Sequence, residues 1–214
     1  DKIMEKIQAG DVFFRRITIV EGMSSHSAMK TINEAVGLKG KDINIKEGVL
    51  LPETYFYSYG DKKFAIVNEM TRSKDNAIDI LWENRDKTIP IKNKEEAIIL
   101  ASIIEKESGK NTERPIIASV FINRLKKGMK LQSDPTIIYS YAFGNKDLER
   151  AIKRSDIRNK SSYNTYNIYG LPPSPICNPG IDSIKAVLNP SKTNYLYFVS
   201  SGYNHHNFSS NLKQ

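Results

Sequence analysis

Apolar residues along the chain change their period several times, and each change marks an element. Phe13 to Val20 is a run of aromatic and β-branched residues that predicts a strand. The Glu21-Gly22 pair then turns the chain, and Ser24 to Val36 predicts a short helix stopped by Gly37. A second extended run covers Val49 to Tyr57, where Pro52 marks an edge position or a bend. From Lys62 to about Arg85 the positions Phe64, Ala65, Val67, Met70, Ala77, Ile78, Leu81 and Trp82 follow a helical pattern, with an interruption expected near Ser73. This helix reads as a long brace between two parts.

The best-signalled helix comes next. Asn93 is its N-cap, Glu96 stands three residues on in capping-box spacing, Ala97 to Ile104 is almost wholly apolar, and Gly109 supplies the exit. A partner helix is expected from Thr112 as N-cap, through Pro115, Ile116, Val120, Phe121 and Leu125, to the cations of Lys126-Lys127 before Gly128. The two make a helical hairpin. Beyond Gly128 the chain is rich in turn formers: Ser133-Asp134-Pro135, Gly144-Asn145, and the stretch 161–180 with Pro172, Pro173, Pro175 and Pro179. Irregular chain of this length inside a compact domain frames a site. A short helix from about Asp182 to Leu188 and a strand from Tyr195 to Val199 follow, and residues 200–214 read as polar and loosely held. The fold class is α+β.

Composition narrows the choices. The 214 residues, 39% hydrophobic and 26% charged, suffice for one well-cored domain or a main domain with a small appendage. The longest apolar stretches, such as Ala97 to Ile104, fall far short of the roughly 20 residues of a membrane-spanning helix. Cys177 is the single cysteine, so no internal disulfide or zinc cluster is expected and the residue reads as a small filler. Thirty-two Lys and Arg against 24 Asp and Glu give a net charge of +8, which favours an anionic partner: nucleic acid, a membrane surface or a charged wall polymer. The cations are scattered and no nucleic-acid-binding module accompanies them, so nucleic acid is not expected.

Candidate chemistry centres on carboxylates. On a helical wheel Glu105 falls between Ala101 and Ile98, while Lys106 and Ser102 lie on the wet side with Glu95. A carboxyl set into that apolar flank loses hydration, which raises its pKa toward the range of a general acid. The alternative is that Glu105 caps a neighbouring backbone or pairs with Lys or Arg from the adjacent helix. Glu107 is two residues further on, about 200° around the helix, so the two cannot converge on one bond. A paired-carboxylate glycosidase would take its second group from Asp134 or Glu53, although Asp134 also reads as a turn or cap residue. His26, His205 and His206 have no nucleophile motif to serve, and His205 and His206 lack further ligands in metal-binding spacing. No metal or cofactor is expected. Tyr163-Asn164-Thr165-Tyr166 offers the aromatic faces and amides of a sugar groove, with structural tyrosines as the alternative.

Five segments in order resemble one known family: Ala101-Ser102-Ile103-Ile104-Glu105-Lys106-Glu107, Ala118 to Leu125, Leu131-Gln132-Ser133-Asp134-Pro135-Thr136, Tyr163-Asn164-Thr165-Tyr166, and Gly170-Leu171-Pro172-Pro173. The chain is similar over nearly its whole length to the endolytic murein transglycosylases of the YceG-like type. Val20-Glu21-Gly22-Met23 looks like the entry to that family's LysM-like subdomain.

The resemblance implies a LysM-like α+β subdomain at residues 1–50 and a catalytic domain at 51–214. It implies non-hydrolytic cleavage of the bond from N-acetylmuramic acid to N-acetylglucosamine, giving a 1,6-anhydro end, with Glu105 as the one acid and base. Gln132, Asp134, Asn164 and Tyr166 are carried over as groove-lining or positioning groups. The implied partners are peptidoglycan glycan strands and peptidoglycan synthases. The implied location is outside a bacterial cytoplasmic membrane, through an N-terminal anchor that precedes this chain. A muramidase-type hydrolase assisted by Asp134 or Glu53, and a non-catalytic wall-binding module, are the competing expectations.

Overall fold

The computed structural model describes residues 13–145, 150–202 and 205–212. Strand β1 (Arg15–Thr18) pairs antiparallel with β2 (Thr54–Tyr57), Ile17 lying opposite Tyr55. Between them runs helix α1 (Ser25–Glu34), capped by the Ser24 hydroxyl, which accepts from the Ser27 N–H. Alternation in the two strands turns Ile17, Tyr55 and Tyr57 inward onto Ala28 and Ile32 of α1. Leu50, Ile66 and Met70 complete this smaller core, which therefore draws on residues either side of position 50.

Helix α2 (Lys63–Glu83) is continuous, without the break expected near Ser73. Its first half buries Ile66, Val67 and Met70 in the smaller core, and its second half brings Ile78, with Leu81 and Trp82, to a larger one. It is the brace that the spacing predicts. The larger core is built from α3 (Lys94–Glu107), α4 (Arg114–Lys126) and α7 (Ile181–Leu188), and the last packs against both of the others. Leu100, Ile103, Ile104, Ile117, Phe121, Ile184 and Val187 fill it. The α3 cap is as expected, Asn93 Oδ1 accepting from the Glu96 N–H at 2.8 Å. Ser102, expected on the wet side, is fully buried: its hydroxyl donates to the Ile99 carbonyl and accepts from the Ile176 N–H at 3.0 Å, so the 161–180 segment covers that face. Buried Cys177 packs there as a filler.

Three further expectations are corrected. Glu113, not Thr112, precedes α4, and it makes no side-chain cap bond, its carboxylate being engaged by the chain's last strand. Ser133-Asp134-Pro135 opens a helix, α5 (Asp134–Ala142), since proline fits the first turn, where its missing N–H costs nothing. The short helix α6 (Arg154–Ile157) follows. Residues read as a loose tail form β4 (His205–Ser209), paired antiparallel with β3 (Tyr197–Gly202). The remainder of that tail, residues 203, 204, 213 and 214, lies outside the described residues.

Fully buried Asn178 joins the two cores. Its backbone exchanges bonds of 3.0 Å with Gly22 and Met23, and its side chain accepts from the Leu50 N–H and donates to Met23 and Ser25. Ile184 is one of the fully buried side chains, with Val187 and Leu188, through which α7 joins the larger core. Replacing it with alanine is expected to cost about 2–5 kcal/mol. A denaturant-unfolding midpoint close to that of the parent would contradict α7 as the hub of this core.

Candidate active site

Two glutamates at the end of α3 face opposite sides, as the 200° step requires. Glu105 points inward. Its Oε1 accepts from Arg114 Nη2 at 2.7 Å and its Oε2 from the Gly180 N–H at 2.9 Å. Both partners are deeply buried, the Glu105 side chain being 4% and that of Arg114 6% exposed. Arg114 Nη2 also reaches Glu21 Oε2 at 3.2 Å. Glu105 therefore accepts at both oxygens from fixed donors. This is the alternative weighed from the wheel, a pairing with Arg of the adjacent helix plus a backbone cap. The geometry speaks against Glu105 as the group that hands a proton to a substrate.

Glu107 is the last residue of α3 and is half-buried. Burial pushes its carboxyl up to about 7, and the negative charge of Asp134 adds to the rise; a hydrogen bond from Ser133 and the charges of His206 and Arg124 act the other way. Ser133 Oγ donates to Glu107 Oε1 at 2.6 Å. The aim of Ser133 is set by its neighbour Gln132, whose φ of 53° lies in the left-handed region. The Gln132 N–H donates to the Thr165 carbonyl and the Ser133 N–H to the Thr165 hydroxyl at 2.9 Å. The Ser133-Asp134 turn is thus pinned to the 161–180 segment beside the end of α3.

The four groups expected in the groove divide. Asp134 is exposed, and its Oδ1 accepts from the Tyr166 hydroxyl at 2.6 Å. Burial and that bond raise the Tyr166 phenol well above its usual range. Exposed Gln132 offers its Oε1 to Arg124 Nη1 at 3.4 Å. These three therefore gather around Glu107. Asn164 does not: it is fully buried, its Nδ2 donating to the carbonyls of Ile157 and Asn159 at 3.0 and 2.7 Å and its Oδ1 accepting from the Tyr166 N–H. It is a loop-closing residue rather than a groove wall, because every polar atom is spent on the backbone. Tyr163 is likewise structural, its ring 5.0 Å from that of Tyr139 and its hydroxyl on Ser174. Glu53 bonds the Thr54 N–H and takes no part in the site.

Two residues outside the expected set, Glu107 and Arg124, belong here. Glu107 carried one local signal: a carboxylate in the last helical turn opposes the helix dipole, and such a breach of a local rule marks a functional position. Arg124 is buried, its Nε donating to the Leu196 carbonyl and its Nη1 to that of Leu131, with the Tyr197 ring 5.3 Å from the guanidinium. Nothing in the spacing predicted that β3 would come back to it. Nor did it predict His206, whose Nδ1 lies 2.7 Å from Glu113 Oε2. Burial opposes ionisation of Glu113, but the bonds from His206 and His205 outweigh it and hold that carboxyl below its ordinary range. No group of three or more candidate metal ligands occurs among the described residues.

An open cleft of about 820 Å³ has Val20 to Ser24 on one side and Pro135 and Tyr139 of α5 on the other. Lys106 and Pro135, chain neighbours of Glu107 and Asp134, belong to its lining.

Comparison with known proteins supplies relatives for this arrangement. The profile of the YceG-like family matches residues 1–214. The chain is 38% identical over 175 residues to an endolytic murein transglycosylase of Bacillus subtilis (strain 168), covering 80% of this chain and 47% of that protein. It is 32% identical over 173 residues to an endolytic murein transglycosylase of Streptococcus pneumoniae (strain ATCC BAA-255 / R6), covering 79% of this chain and 31% of that protein. The chain thus spans less than half the length of these curated relatives. A crystal structure of a yceG-like protein from Listeria monocytogenes superposes with a TM-score of 0.75 at 30% identity, over 100% of this chain and 79% of that one.

Substitutions separate the roles. Glu105→Gln breaks a buried ion pair and is expected to cost about 3–5 kcal/mol. Asn164→Ala removes the acceptor of the Tyr166 N–H and leaves the Ile157 and Asn159 carbonyls to Asn167 alone, at an expected cost of about 1–3 kcal/mol. Both should lower the melting temperature by several degrees. An Asn164→Ala protein that melts like the parent would return this residue to the groove.

Proposed function

The chain belongs to the YceG-like family, and from that membership we propose that it is a peptidoglycan lytic transglycosylase that cuts within glycan strands, with Glu107 as its acid and base. The single observation that carries the assignment is the half-buried Glu107 carboxyl, raised to about 7 at the end of α3, one residue along the chain from Lys106 of the cleft lining. A carboxyl at that value is protonated often enough at neutral pH to give its proton away and acidic enough to take one back.

The reaction needs both. Protonated Glu107 donates to the glycosidic oxygen as the β-1,4 bond from N-acetylmuramic acid to N-acetylglucosamine breaks. The resulting carboxylate accepts the proton of the muramyl 6-hydroxyl while that oxygen closes on C1, giving the 1,6-anhydro end. Glu107 finishes protonated and no water is consumed. One carboxyl suffices because the substrate brings its own nucleophile, and the muramyl acetamido group shields the developing positive charge. Asp134, held by the Tyr166 hydroxyl, helps keep the proton on Glu107 before the cut. Arg124 and His206 ease the anionic stage between the two transfers. Gln132 and Tyr166 position the sugar.

In this reading the domain acts on strands as they are polymerised, ending them by cleavage. It works beside peptidoglycan synthases, outside the cytoplasmic membrane and tethered by an anchor. None of the described helices is long and apolar enough to cross a membrane. The small unit built on β1, α1 and β2 serves as the LysM-like part.

Glu107→Gln should lower the rate on purified sacculi about 10² to 10⁴-fold while leaving the fold intact. Mass spectrometry of wild-type digests should give ends lighter by one water than hydrolysis gives. Retained cleavage in the variant, or reducing ends from the wild type, would remove the proposal. Activity should fall as pH rises through about 7, where the acid form is lost. The folded protein binds this proton more tightly than the unfolded chain, whose carboxyl keeps an ordinary value near 4.5. Its contribution to stability is therefore complete below about 4.5 and lost as pH rises through about 7. The Glu107→Gln protein should accordingly gain in melting temperature over the parent between pH 4 and pH 8.

A further inference from the structure

The cleft carries two charged residues among the described ones that line it, Glu21 and Lys106. They differ in what they have left to offer. Glu21 Oε2 is committed to Arg114, and its side chain lies so close to Gly180 that a Cβ there would meet Glu21 at under 3 Å from three atoms. Lys106 is exposed and takes part in none of the ion pairs among the described residues. Its stem is held, however. A Cβ at Gly22 would stand 3.6 Å from Lys106 Cδ, so the turn at residues 20–23 lies across the aliphatic part and leaves only the end of the side chain free.

Position gives this charge its meaning. Lys106 stands one residue from Glu107 on α3, and consecutive Cα atoms are about 3.8 Å apart. On the other wall Pro135 stands one residue from Asp134. A sugar chain with its scissile bond at Glu107 that extends into this cleft would pass the Lys106 side chain. The rest of the lining is largely small, apolar or uncharged, with Met23, Ser24, Ile138, Tyr139 and Asn145 among it. Such a surface suits sugar rings and amides but does not tell one N-acetylated polymer from another. The muramyl unit differs from N-acetylglucosamine by its 3-O-lactyl group, which is a carboxylate when bare and carries further carboxylates when it bears a peptide.

We propose that Lys106 is the carboxylate anchor of the cleft: it binds the anionic substituent of a muramyl residue and so selects muramyl glycan over neutral N-acetylglucosamine polymers. The inference rests on the lyase reading of the adjoining site. Lys106 acts on which chain is held, and Glu107 on what is then cut. The side chain supplies a point charge on a tethered stem, which tolerates a carboxylate close to the ring or one further out on the peptide.

The test reads binding, not turnover. Affinity is measured by fluorescence anisotropy of end-labelled oligomers, using the Glu107→Gln protein so that strands stay whole, with and without Lys106→Gln. Four ligands are compared: peptide-bearing murein oligomers, amidase-stripped oligomers with free lactyl carboxylates, the same oligomers with the lactyl group converted to its methylamide, and chito-oligosaccharides of equal length. Carboxylate-bearing strands should bind about three- to tenfold more tightly than the two neutral ligands. That margin should vanish in the Lys106→Gln protein, return with Lys106→Arg, and shrink as salt is raised. A margin confined to stripped strands identifies the lactyl carboxylate as the ligand, and one confined to peptide-bearing strands identifies the stem. Equal loss of affinity for all four ligands in Lys106→Gln, or an unchanged margin, overturns the proposal. Failure of the lyase reading shows separately, as cleavage of the strands by the Glu107→Gln protein itself.

Discussion

The guanidinium of Arg114, buried with a carboxylate on either side, is the contact from which the rest of the site is laid out. It bonds Glu105 of α3 and Glu21 of the turn after β1, while its Nε and Nη1 have no hydrogen-bond partner. A charge so far from water is tolerable only with its counter-charge in place. The pair therefore fixes the rotation of α3 against α4 and holds the residue 20–23 turn against both. Once Glu105 is committed inward, helix geometry alone turns Glu107 to the opposite side, toward Ser133 and Asp134. The residue spent on packing is what aims Glu107.

Around Glu107 the protein sets opposing influences almost in balance. Burial and Asp134 favour the neutral acid, while the Ser133 hydroxyl, His206 and Arg124 favour the anion. The proposed acid and base duty of one group requires this, because a carboxyl driven far in either direction performs only half of the cycle. The opposing groups arrive on different elements: Asp134 opens α5, Arg124 lies on α4, and His206 is brought in by β4 and latched to Glu113. Tuning by several elements makes the value a property of the whole larger unit.

Local signals in the sequence carried the helices with clear caps and stripes, as at Asn93 and along the brace. They failed where one residue type serves two purposes. Ser133-Asp134-Pro135 can turn a chain or start a helix, and the tertiary bonds from Thr165 decide it. The wheel found the apolar flank of Glu105 correctly but could not tell desolvation from pairing, since Arg114 is nine residues away and reaches it only through the hairpin. Asn164 sat in a recognisable motif, yet motif membership does not distinguish a residue that holds a loop from one that lines a groove. His206 and Arg124 depend on strand pairing near the chain's end, which no short-range pattern encodes.

The brace α2 has a mechanical corollary. It is one unbroken rod of 21 residues, roughly 30 Å long, with Met70 seated in one core and Ile78 in the other. Jaw-like motion of the two lobes would have to bend that rod or unseat one of those side chains, and both are costly. The cleft between the lobes therefore keeps a set width, a standing slot whose shape does not depend on what lies in it.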